Sequence, residues 1–380
     1  MSAATGISSA NRLVIKVGSA LLCDAHGQPR RDWLAGLAAD IDQLRKKNIE
    51  VIVVTSGAIA LGKPRLGLTG VLRLDEKQAA SAAGQVLLSQ VWQGAFDPFG
   101  IQVAQILLTL DDTENRRRYL NARNTFRTLL DVQALPLVNE NDTIATSEIR
   151  YGDNDRLAAH AAQLCEADLL VILSDVDGLY TSDPRVDPSA QLMPLVKKIT
   201  PQIEALATGP NVQAGMGSGG MASKIAAAKI AGRNGCATLI AQGRRDHPLR
   251  ALQEGAPATL IEPSRSPENA RRQWIAGRLQ PSGIINLDAG AVEAVRHGNS
   301  LLPAGVISAS GDFARGDAVS LCDPAGRPVA QGLAAWSAGE IKKIAGLKSD
   351  MIEKKIGYRR RPAIVEKNDL VLMEQEKNDS

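Results

Sequence analysis

The chain has 380 residues, of which 44% are hydrophobic and 22% are charged, and its formal net charge is +3. This length exceeds what one hydrophobic core usually serves, so we expect a larger and a smaller domain. The small net charge argues against a polyanion as a partner of the whole chain. No apolar run approaches the roughly 18 residues that a membrane span needs, so we expect no membrane association.

The spacings of cysteine and histidine do not indicate a zinc site. The four cysteines lie far apart without a CxxC pair, and the four histidines show no HxxxH or HExxH spacing. We therefore expect inert thiols, no metal ligands among these residues, and oxygen ligands for any metal. The first residues, MSAATGISSAN, lack the charged start and the apolar stretch of an export signal, which predicts a cytoplasmic protein.

Short apolar runs alternate with helical patterns through the first part of the chain. The runs are bounded by turn residues, as is typical of buried strands. The predicted strands are RLVIKVG (12–18), VIVVT (51–55), IQVAQILL (101–108), ALPLV (134–138), DLLVIL (168–173) and CATLIA (236–241). The predicted helices lie near 32–47, 75–93, 118–132, 153–165 and 221–234. This alternation predicts an α/β fold with a mainly parallel sheet sandwiched by helices.

The composition changes after Pro263. The stretch SRSPENARRQWIAGRLQPSG is polar and contains two prolines, which is typical of a connector. Beyond it, short β-type runs alternate with Gly and Pro turns, which predicts a small β-rich domain. We therefore predict a first domain at 1–263, a linker at 264–281, a second domain at 282–362 and a C-terminal tail at 363–380.

Two predicted strands end in residues that suit an anion. Lys16 lies at the end of the first strand, where open α/β sheets bind ligands, and a fixed cation there would offset phosphate charge during transfer. The alternative is a lysine that reaches solvent at the strand edge. The segment 55–58 (TSGA) follows the second strand, and a helix start there could bind a substrate carboxylate or be a plain turn. Ser56 is not in a GxSxG frame, which disfavours a hydrolase nucleophile.

Acidic and amide side chains are concentrated in NEND (139–142) and GDND (152–155). Such groups can hold an ammonium group, position a lysine, or accept Mg²⁺ with its waters. The alternative is a polar loop with Asp153 or Asp155 as the N-cap of the following helix. Ser174 and Asp175 close the fifth strand, and the turn after them suits the nucleoside end of ATP.

The segment GMGSGGMASK (215–224) is a glycine-rich loop that runs into a predicted helix. Backbone of this kind wraps phosphates, which Lys224 would then meet; a flexible linker is the alternative. The segment contains GxGxxG, but no strand precedes it and no acidic residue follows about 20 residues later, so dinucleotide binding is not favoured. It lacks GK[ST], so it is not a Walker P-loop.

Together these segments resemble the amino acid kinase family. The second domain resembles the PUA module that such enzymes often carry, through GNSLLPAGV (298–306), GDFARGDAV (311–319) and IKKIAG (341–346). In the first domain the likeness rests on KVGS (16–19), VVTSGAIALG (53–62), LNAR (120–123), NENDT (139–143), GDND (152–155), SDVDGLYTSDPR (174–185) and GSGGMASK (217–224).

The resemblance implies ATP-dependent phosphorylation of the γ-carboxylate of L-glutamate, the first step of proline biosynthesis, with ATP and Mg²⁺ as cofactors. By resemblance, Lys16 and Lys224 would neutralise the ATP phosphates and Asp155 would hold both lysines. Ser56, Asp142 and Asn154 would bind glutamate. The nucleotide site would consist of Lys16, Ser174, Asp175, Ser218, Gly219, Gly220, Met221, Ala222, Ser223 and Lys224. Serine stands at 174 and 218 where threonine is common in relatives, and both positions keep a hydroxyl.

The resemblance also implies a homo-oligomer (dimer or tetramer), proline as a feedback inhibitor, and a following reductase that consumes the labile acyl phosphate. One alternative hypothesis is a related kinase of the same family that acts on acetylglutamate, aspartate, carbamate or UMP. Another is RNA binding by the second domain, since KKIAGLKSDMIEKKIGYRRR (342–361) is basic. Residues 281–380 nevertheless hold 13 basic and 13 acidic residues, which disfavours a nucleic-acid binder.

Overall fold

The computed structural model describes residues 3–24, 26–144, 154–207, 220–266, 281–348, 351–352, 355 and 362–373. The chain divides into two compact units, Met1–Pro267 and Glu268–Ser380. Most of the predicted linker, 264–281, lies outside the described residues, and the predicted domain bounds stay a prediction. In the part of the chain that the structure describes, no helix is long and apolar enough to cross a membrane.

An eight-stranded sheet organises the first unit. Its strands are β1 (Arg12–Val17), β2 (Glu50–Val54), β3 (Val103–Leu108), β4 (Leu135–Glu140), β5 (Leu169–Ser174), β6 (Leu195–Val196), β7 (Ala237–Gln242) and β8 (Ala258–Ile261). They lie in the order β3-β4-β2-β1-β5-β7-β8-β6. The strands from β3 to β7 in that order run parallel, whereas β8 is antiparallel to β7. The carboxyl ends of six strands therefore meet at one edge.

Helices cover both faces of this sheet, which confirms the predicted fold class. They are α1 (Ala3–Ser9), α2 (Ser19–Leu22), α3 (Arg31–Lys46), α4 (Ala58–Arg65), α5 (Leu74–Phe96), α6 (Leu110–Glu114), α7 (Arg116–Asp131), α8 (Asn154–Cys165), α9 (Pro201–Ala207), α10 (Met221–Arg233) and α11 (Pro248–Gln253). The five predicted helices correspond to α3, α5, α7, α8 and α10. The short strands β6 and β8 were not predicted from the sequence.

The alternation of side chains along β1 decides which residue faces which layer. Leu13, Ile15 and Val17 point into the core that contains α3 and α5. Since successive strand residues point to opposite faces, Val14 and Lys16 point to the other face. Helix α8 packs on β1 there, and α10 packs beside α8. A lysine at an even-numbered position near the end of β1 therefore meets the helices that follow β4 and the glycine-rich segment.

Helices α4 and α5 cross with almost no space between their backbones. A Cβ atom on Gly84 of α5 would lie 1.7 Å from the carbonyl oxygen of Ala58, and one on Gly62 of α4 would lie 1.8 Å from that of Ala80. Real Cβ atoms do not approach so closely, because the two atoms would overlap, and an interior packed to the density of organic crystals leaves little room for the backbones to move apart. Glycine at both positions therefore fixes α5 against the segment that follows β2.

The second unit contains a five-stranded sheet, which agrees with the predicted β-rich composition. Its elements are β9 (Gly283–Leu287), α12 (Ala289–Arg296), β10 (Val306–Gly311), β11 (Ala318–Cys322), β12 (Pro328–Leu333), α13 (Ala338–Ile344) and β13 (Leu370–Leu372), in the strand order β10-β9-β11-β12-β13. The structure differs from the prediction at the chain end. Residues 370–372, predicted to lie in a C-terminal tail, pair with β12 as an edge strand.

Candidate active site

Two lysines and one aspartate form a buried cluster at the carboxyl edge of the large sheet. Lys16 Nζ lies 2.6 Å from Asp155 Oδ1, and Lys224 Nζ lies 3.3 Å from Asp155 Oδ2. Asp155 is fully buried, while Lys16 is 7% and Lys224 5% exposed. Lysine and aspartate are almost never buried to this degree unless they are paired. The cluster carries a net positive charge when all three groups are ionised, and such a site favours an anionic ligand.

Three separate elements bring these groups together. Lys16 comes from the end of β1, Asp155 from the first turn of α8, and Lys224 from the first turn of α10. Ser223 Oγ, next to Lys224, donates to Asp155 Oδ2 at 3.2 Å. Asp155 therefore ties the starts of two helices to the end of a strand.

The ionisation of the cluster follows from burial and mutual charge. Burial alone would raise the pKa of Asp155, but the charges of Lys16 and Lys224 and their hydrogen bonds outweigh it and hold that pKa below its usual value. Burial lowers the pKa of Lys224, Asp155 opposes this shift, and Lys16 adds to it. Asp155 is thus an ionised clamp for the two ammonium groups at neutral pH.

A second polar group lies directly beside this cluster, centred on Asn154. Its Nδ2 donates to the carbonyl oxygen of Thr55 and to Ser56 Oγ, both at 2.7 Å, and to Asn139 Oδ1 at 3.2 Å. Gly57 follows with a φ of 111°, a left-handed conformation that favours glycine. The turn after β2 therefore presents Ser56 to the start of α8, where it can meet a small polar ligand.

Asp142 is buried shortly after the end of β4, and its carboxylate accepts a hydrogen bond from a residue of α5. Ser81 Oγ donates to Asp142 Oδ2 at 2.6 Å, and the two residues are 3% and 8% exposed. Burial raises the pKa of Asp142, and the hydrogen bond from Ser81 opposes that shift. A buried carboxylate of this kind can pair with the ammonium group of a ligand.

The predicted nucleotide residues lie at the ends of β5 and at the start of α10. Ser174 Oγ donates to Asp175 Oδ1 at 3.0 Å, and Gln242 Nε2 donates to the Asp175 carbonyl oxygen at 3.0 Å. The charge of Asp175 also partly opposes the burial that lowers the pKa of Lys224. Asp175 directly follows β5, which pairs with β1, so it lies at the same carboxyl edge of the sheet as Lys16.

The glycine-rich segment is described only from Gly220 onward. Gly220 precedes α10, and Met221, Ala222 and Ser223 form its first residues. The backbone N–H groups of Met221 and Ala222 lie in the first turn, where helix termini leave such donors for an anion, whereas the N–H of Ser223 donates to the Gly220 carbonyl oxygen at 3.0 Å. Ser218 and Gly219, which were also predicted to bind the nucleotide, lie outside the described residues.

Two matches to known protein families fall one in each of the two structural units. A family profile described as "Amino acid kinase family" matches residues 11–242. The chain belongs to the amino acid kinase family. A second profile, "PUA domain", matches residues 283–356.

Curated members of the amino acid kinase family match over nearly the whole chain. A protein named "Glutamate 5-kinase" from Caulobacter vibrioides is 56% identical over 94% of this chain and 95% of its own. "Glutamate 5-kinase" from Paramagnetospirillum magneticum is 51% identical over 96% and 99%, and "Glutamate 5-kinase 1" from Rhizobium meliloti is 52% identical over 95% and 92%. The predicted family resemblance, the PUA module and the prediction of a kinase are confirmed.

The structure thus brings Lys16, Asp155 and Lys224 into contact, and it joins Asn154 to Ser56. It places Asp142 in a separate contact with α5. Sequence reasoning pointed to the segment NEND (139–142) but gave Asn139 no role of its own, and it missed the residues of α5 altogether. Asn139 could have been found, since it opens the NENDT segment at the end of β4. The α5 residues carried no such signal, because they lie in a helix rich in alanine.

Proposed function

We propose that this chain transfers the γ-phosphoryl group of ATP to the γ-carboxylate of L-glutamate, giving L-glutamyl 5-phosphate and ADP, the first step of proline biosynthesis. The observation that carries the proposal is the pair of buried ammonium groups of Lys16 and Lys224 on Asp155. It lies directly beside the Asn154–Ser56 contact. The names of the relatives, over nearly the full chain, support the same substrate.

The chemistry needs cations and alignment more than it needs a base. A γ-carboxylate is ionised at neutral pH, so it can attack phosphorus without losing a proton. Negative charge on the transferring phosphoryl oxygens is then stabilised by fixed positive groups, and the attacking and leaving oxygens must lie in line. Lys16 and Lys224 supply the charge, and Asp155 fixes their positions because it contacts both.

The residues of the site fit ATP. The lysine pair would hold its phosphates together with the first-turn N–H groups of α10, and Ser174 and Asp175 would lie toward the nucleoside. Magnesium ions would reduce the charge of the β- and γ-phosphates. Among the residues that the structure describes, no group of three or more His, Cys, Asp or Glu side chains could hold a metal ion. Mg²⁺ usually keeps several waters and binds through substrate phosphates, which suits this site.

The polar groups beyond the lysines fit a small amino acid with two carboxylates. Ser56 and Asn154 offer a hydroxyl and an amide to a carboxylate of the substrate. Asp142 offers a buried carboxylate to its α-ammonium group. An acetylated amino group would lack the positive charge that Asp142 attracts. Glutamate is therefore proposed over acetylglutamate, and assays with aspartate, carbamate and UMP would separate the other sister activities.

Acyl phosphate formation tests the proposal. The protein is incubated with ATP, Mg²⁺ and glutamate, and hydroxylamine traps γ-glutamyl phosphate as a hydroxamate. Lys16→Ala and Lys224→Ala should each lower turnover on the order of 10²-fold or more. The matched control is Lys229→Ala on the same helix, whose side chain is 37% exposed and pairs with Glu204 at 2.6 Å; it should keep near-normal turnover. Near-normal turnover in both site variants would refute the assignment of the cations.

Four further parts of the proposal rest on the family resemblance. They are a cytoplasmic location, a homodimer or homotetramer, inhibition by proline, and a reductase that consumes the product. The cytoplasmic location is supported by four free cysteines that are all buried, as is common in reducing compartments. The reductase is supported by chemistry, because an acyl phosphate hydrolyses unless a following enzyme uses it. Size-exclusion chromatography and assays with added proline test the other two.

A further inference from the structure

One face of α5 carries polar side chains where an apolar face would be expected. Ser81, Gln85 and Trp92 lie four and seven residues apart, so they point to the same side of the helix. The buried residues around them are Ala80, Gly84 and Leu88. Buried polar groups are kept in proteins when they have partners. We call Ser81, Gln85 and Trp92 the polar stripe of α5.

Gln85 contributes to the orientation of the Asn139 amide. Asn139 Nδ2 donates to Gln85 Oε1 at 2.9 Å, so the amide nitrogen points to α5. The oxygen end, Asn139 Oδ1, is thereby turned toward Asn154 Nδ2, from which it accepts at 3.2 Å. Without an acceptor at position 85, only the contact with Asn154 Nδ2 would favour this orientation of the Asn139 amide, and the buried Nδ2 of Asn139 would lose its partner. Gln85 thus acts on Asn154 through Asn139.

Ser81 and Trp92 extend the same support to the segment after β4 and to the end of β2. Ser81 Oγ donates to Asp142, as described above. Trp92 Nε1 donates to Thr55 Oγ1 at 3.1 Å, and the Thr55 carbonyl oxygen accepts from Asn154. Each member of the polar stripe therefore contacts a residue that either belongs to the amino acid site or touches it.

The polar stripe is held in place independently of these hydrogen bonds. The glycine crossing of α4 and α5 lies at Gly84, next to Gln85 and one turn from Ser81. Because the backbones are already in contact there, α5 cannot slide or rotate without a clash. A support of this kind is what a binding site requires if its groups are to stay within a fraction of an ångström of their productive positions.

We propose that Gln85 and Ser81 are positioning residues that set the affinity of the site for the amino acid substrate and leave the nucleotide end unaffected. The inference rests on the proposed function and adds to it two residues of α5 that act through Asn139 and Asp142. Gln85 orders Asn139 and Asn154, and Ser81 orders Asp142, so loss of either should weaken glutamate binding before it weakens ATP binding.

Steady-state kinetics of hydroxamate formation tests this division. Gln85→Met removes the acceptor but keeps the volume, and Ser81→Ala removes the hydroxyl. Each should raise the KM for glutamate about 5- to 10-fold, as expected for one lost hydrogen bond in a largely buried network. The KM for ATP should change less than about 2-fold. Ser81→Thr, which keeps the hydroxyl, should retain most of the affinity for glutamate.

Two variants on the same helix serve as matched controls. Gln90 is exposed, so Gln90→Met makes the same chemical change outside the polar stripe. Ser89 Oγ donates at 3.0 Å to the backbone carbonyl of Gln85 within α5, so Ser89→Ala removes a hydroxyl that serves only its own helix. Both should keep normal KM values for glutamate and ATP.

A double-mutant cycle separates positioning from a general loss of structure. In an Asn139→Ala background, Gln85→Met should add little further increase in the KM for glutamate, because its effect passes through Asn139. Additive effects, or equal increases in both KM values, would overturn the inference while the wild-type activity still supports the proposed function. A wild-type protein that forms no hydroxamate with glutamate would overturn the proposed function, and the inference with it.

Discussion

Asp155→Asn removes the anion between two buried lysines while it keeps the shape of the side chain. The lysine side chains are 8% and 6% exposed and the aspartate side chain is fully buried. Removal of one partner from a buried ion pair costs about 3–5 kcal/mol, because it leaves an uncompensated buried charge. For a folding unit of this size, that loss corresponds to a fall in Tm of about 6–20 °C.

Differential scanning calorimetry measures this change, since it can resolve the transitions of separate units. The matched control is Asp183→Asn, which removes a carboxylate at 2.8 Å from Arg185, a side chain that is 80% exposed. An exposed ion pair contributes only about 0–1 kcal/mol. The control should therefore lower Tm by about 4 °C at most.

The cost of Asp155→Asn should depend on pH in a defined direction. Without Asp155, nothing from that residue opposes the burial that lowers the pKa of Lys224. A lysine with a lowered pKa in the folded state binds fewer protons than in the unfolded state, so stability rises with pH in that window. The difference in the free energy of unfolding between wild type and variant should therefore become smaller as pH increases from 7 toward 10. It should also narrow below about pH 4, where the low pKa of Asp155 no longer contributes stability.

The reasoning fails if Asp155→Asn lowers Tm no more than Asp183→Asn does. That result would mean that the two lysines are stable without an anion between them. A gap that widens with rising pH would contradict the electrostatic account even if the variant were destabilised, because it would point to lost packing in place of uncompensated charge.

Three further changes test the fold around the site. Gly84→Ala should destabilise the protein by about 1–3 kcal/mol, because the added methyl group would overlap the backbone of α4. Gly94→Ala on the same helix adds a methyl group with nothing within 4 Å, so it should be neutral or stabilising. Thermal unfolding of the two variants measures the difference. Asp40→Ala should cost about 1–3 kcal/mol in a urea titration, because this buried carboxylate accepts two backbone N–H groups at the start of α11; an unchanged midpoint would contradict this. Burial raises the pKa of Cys23 to about 11 and that of Cys165 to about 12, so a thiol reagent at pH 8 should label neither until the protein is unfolded.

The sequence was sufficient for the parts of the fold whose signals are local. β5 is a continuous apolar run, β1 is an apolar run interrupted by Lys16, and their neighbours α8 and α10 have helical spacing. β6 and β8 were missed because two and four residues are too few to show a period. β13 was missed for the same reason: its three residues become a strand only through pairing with β12.

The residues of the site also divide into those that have a local signal in the sequence and those that have none. Lys16, Asp155 and Lys224 could be found because charged residues at strand and helix ends stand out from apolar surroundings. Gln85 and Ser81 could not, since a serine and a glutamine in an alanine-rich helix indicate only a packing surface. Their partners are supplied by β4 and the segment after it, more than 50 residues away in the chain, and only the crossing of α4 and α5 selects which helix face meets them.

Two neighbouring residues at the start of α8 join the halves of the site. Asn154 donates to Ser56 at the end of β2, whereas Asp155 holds Lys16 and Lys224. Successive residues of an α-helix point about 100° apart, so one turn can serve two different groups at once. Any displacement of α8 would move both contacts together. Under the proposed function, the groups assigned to the acceptor and those assigned to the phosphates would therefore keep a fixed separation, which is the geometric requirement of in-line transfer.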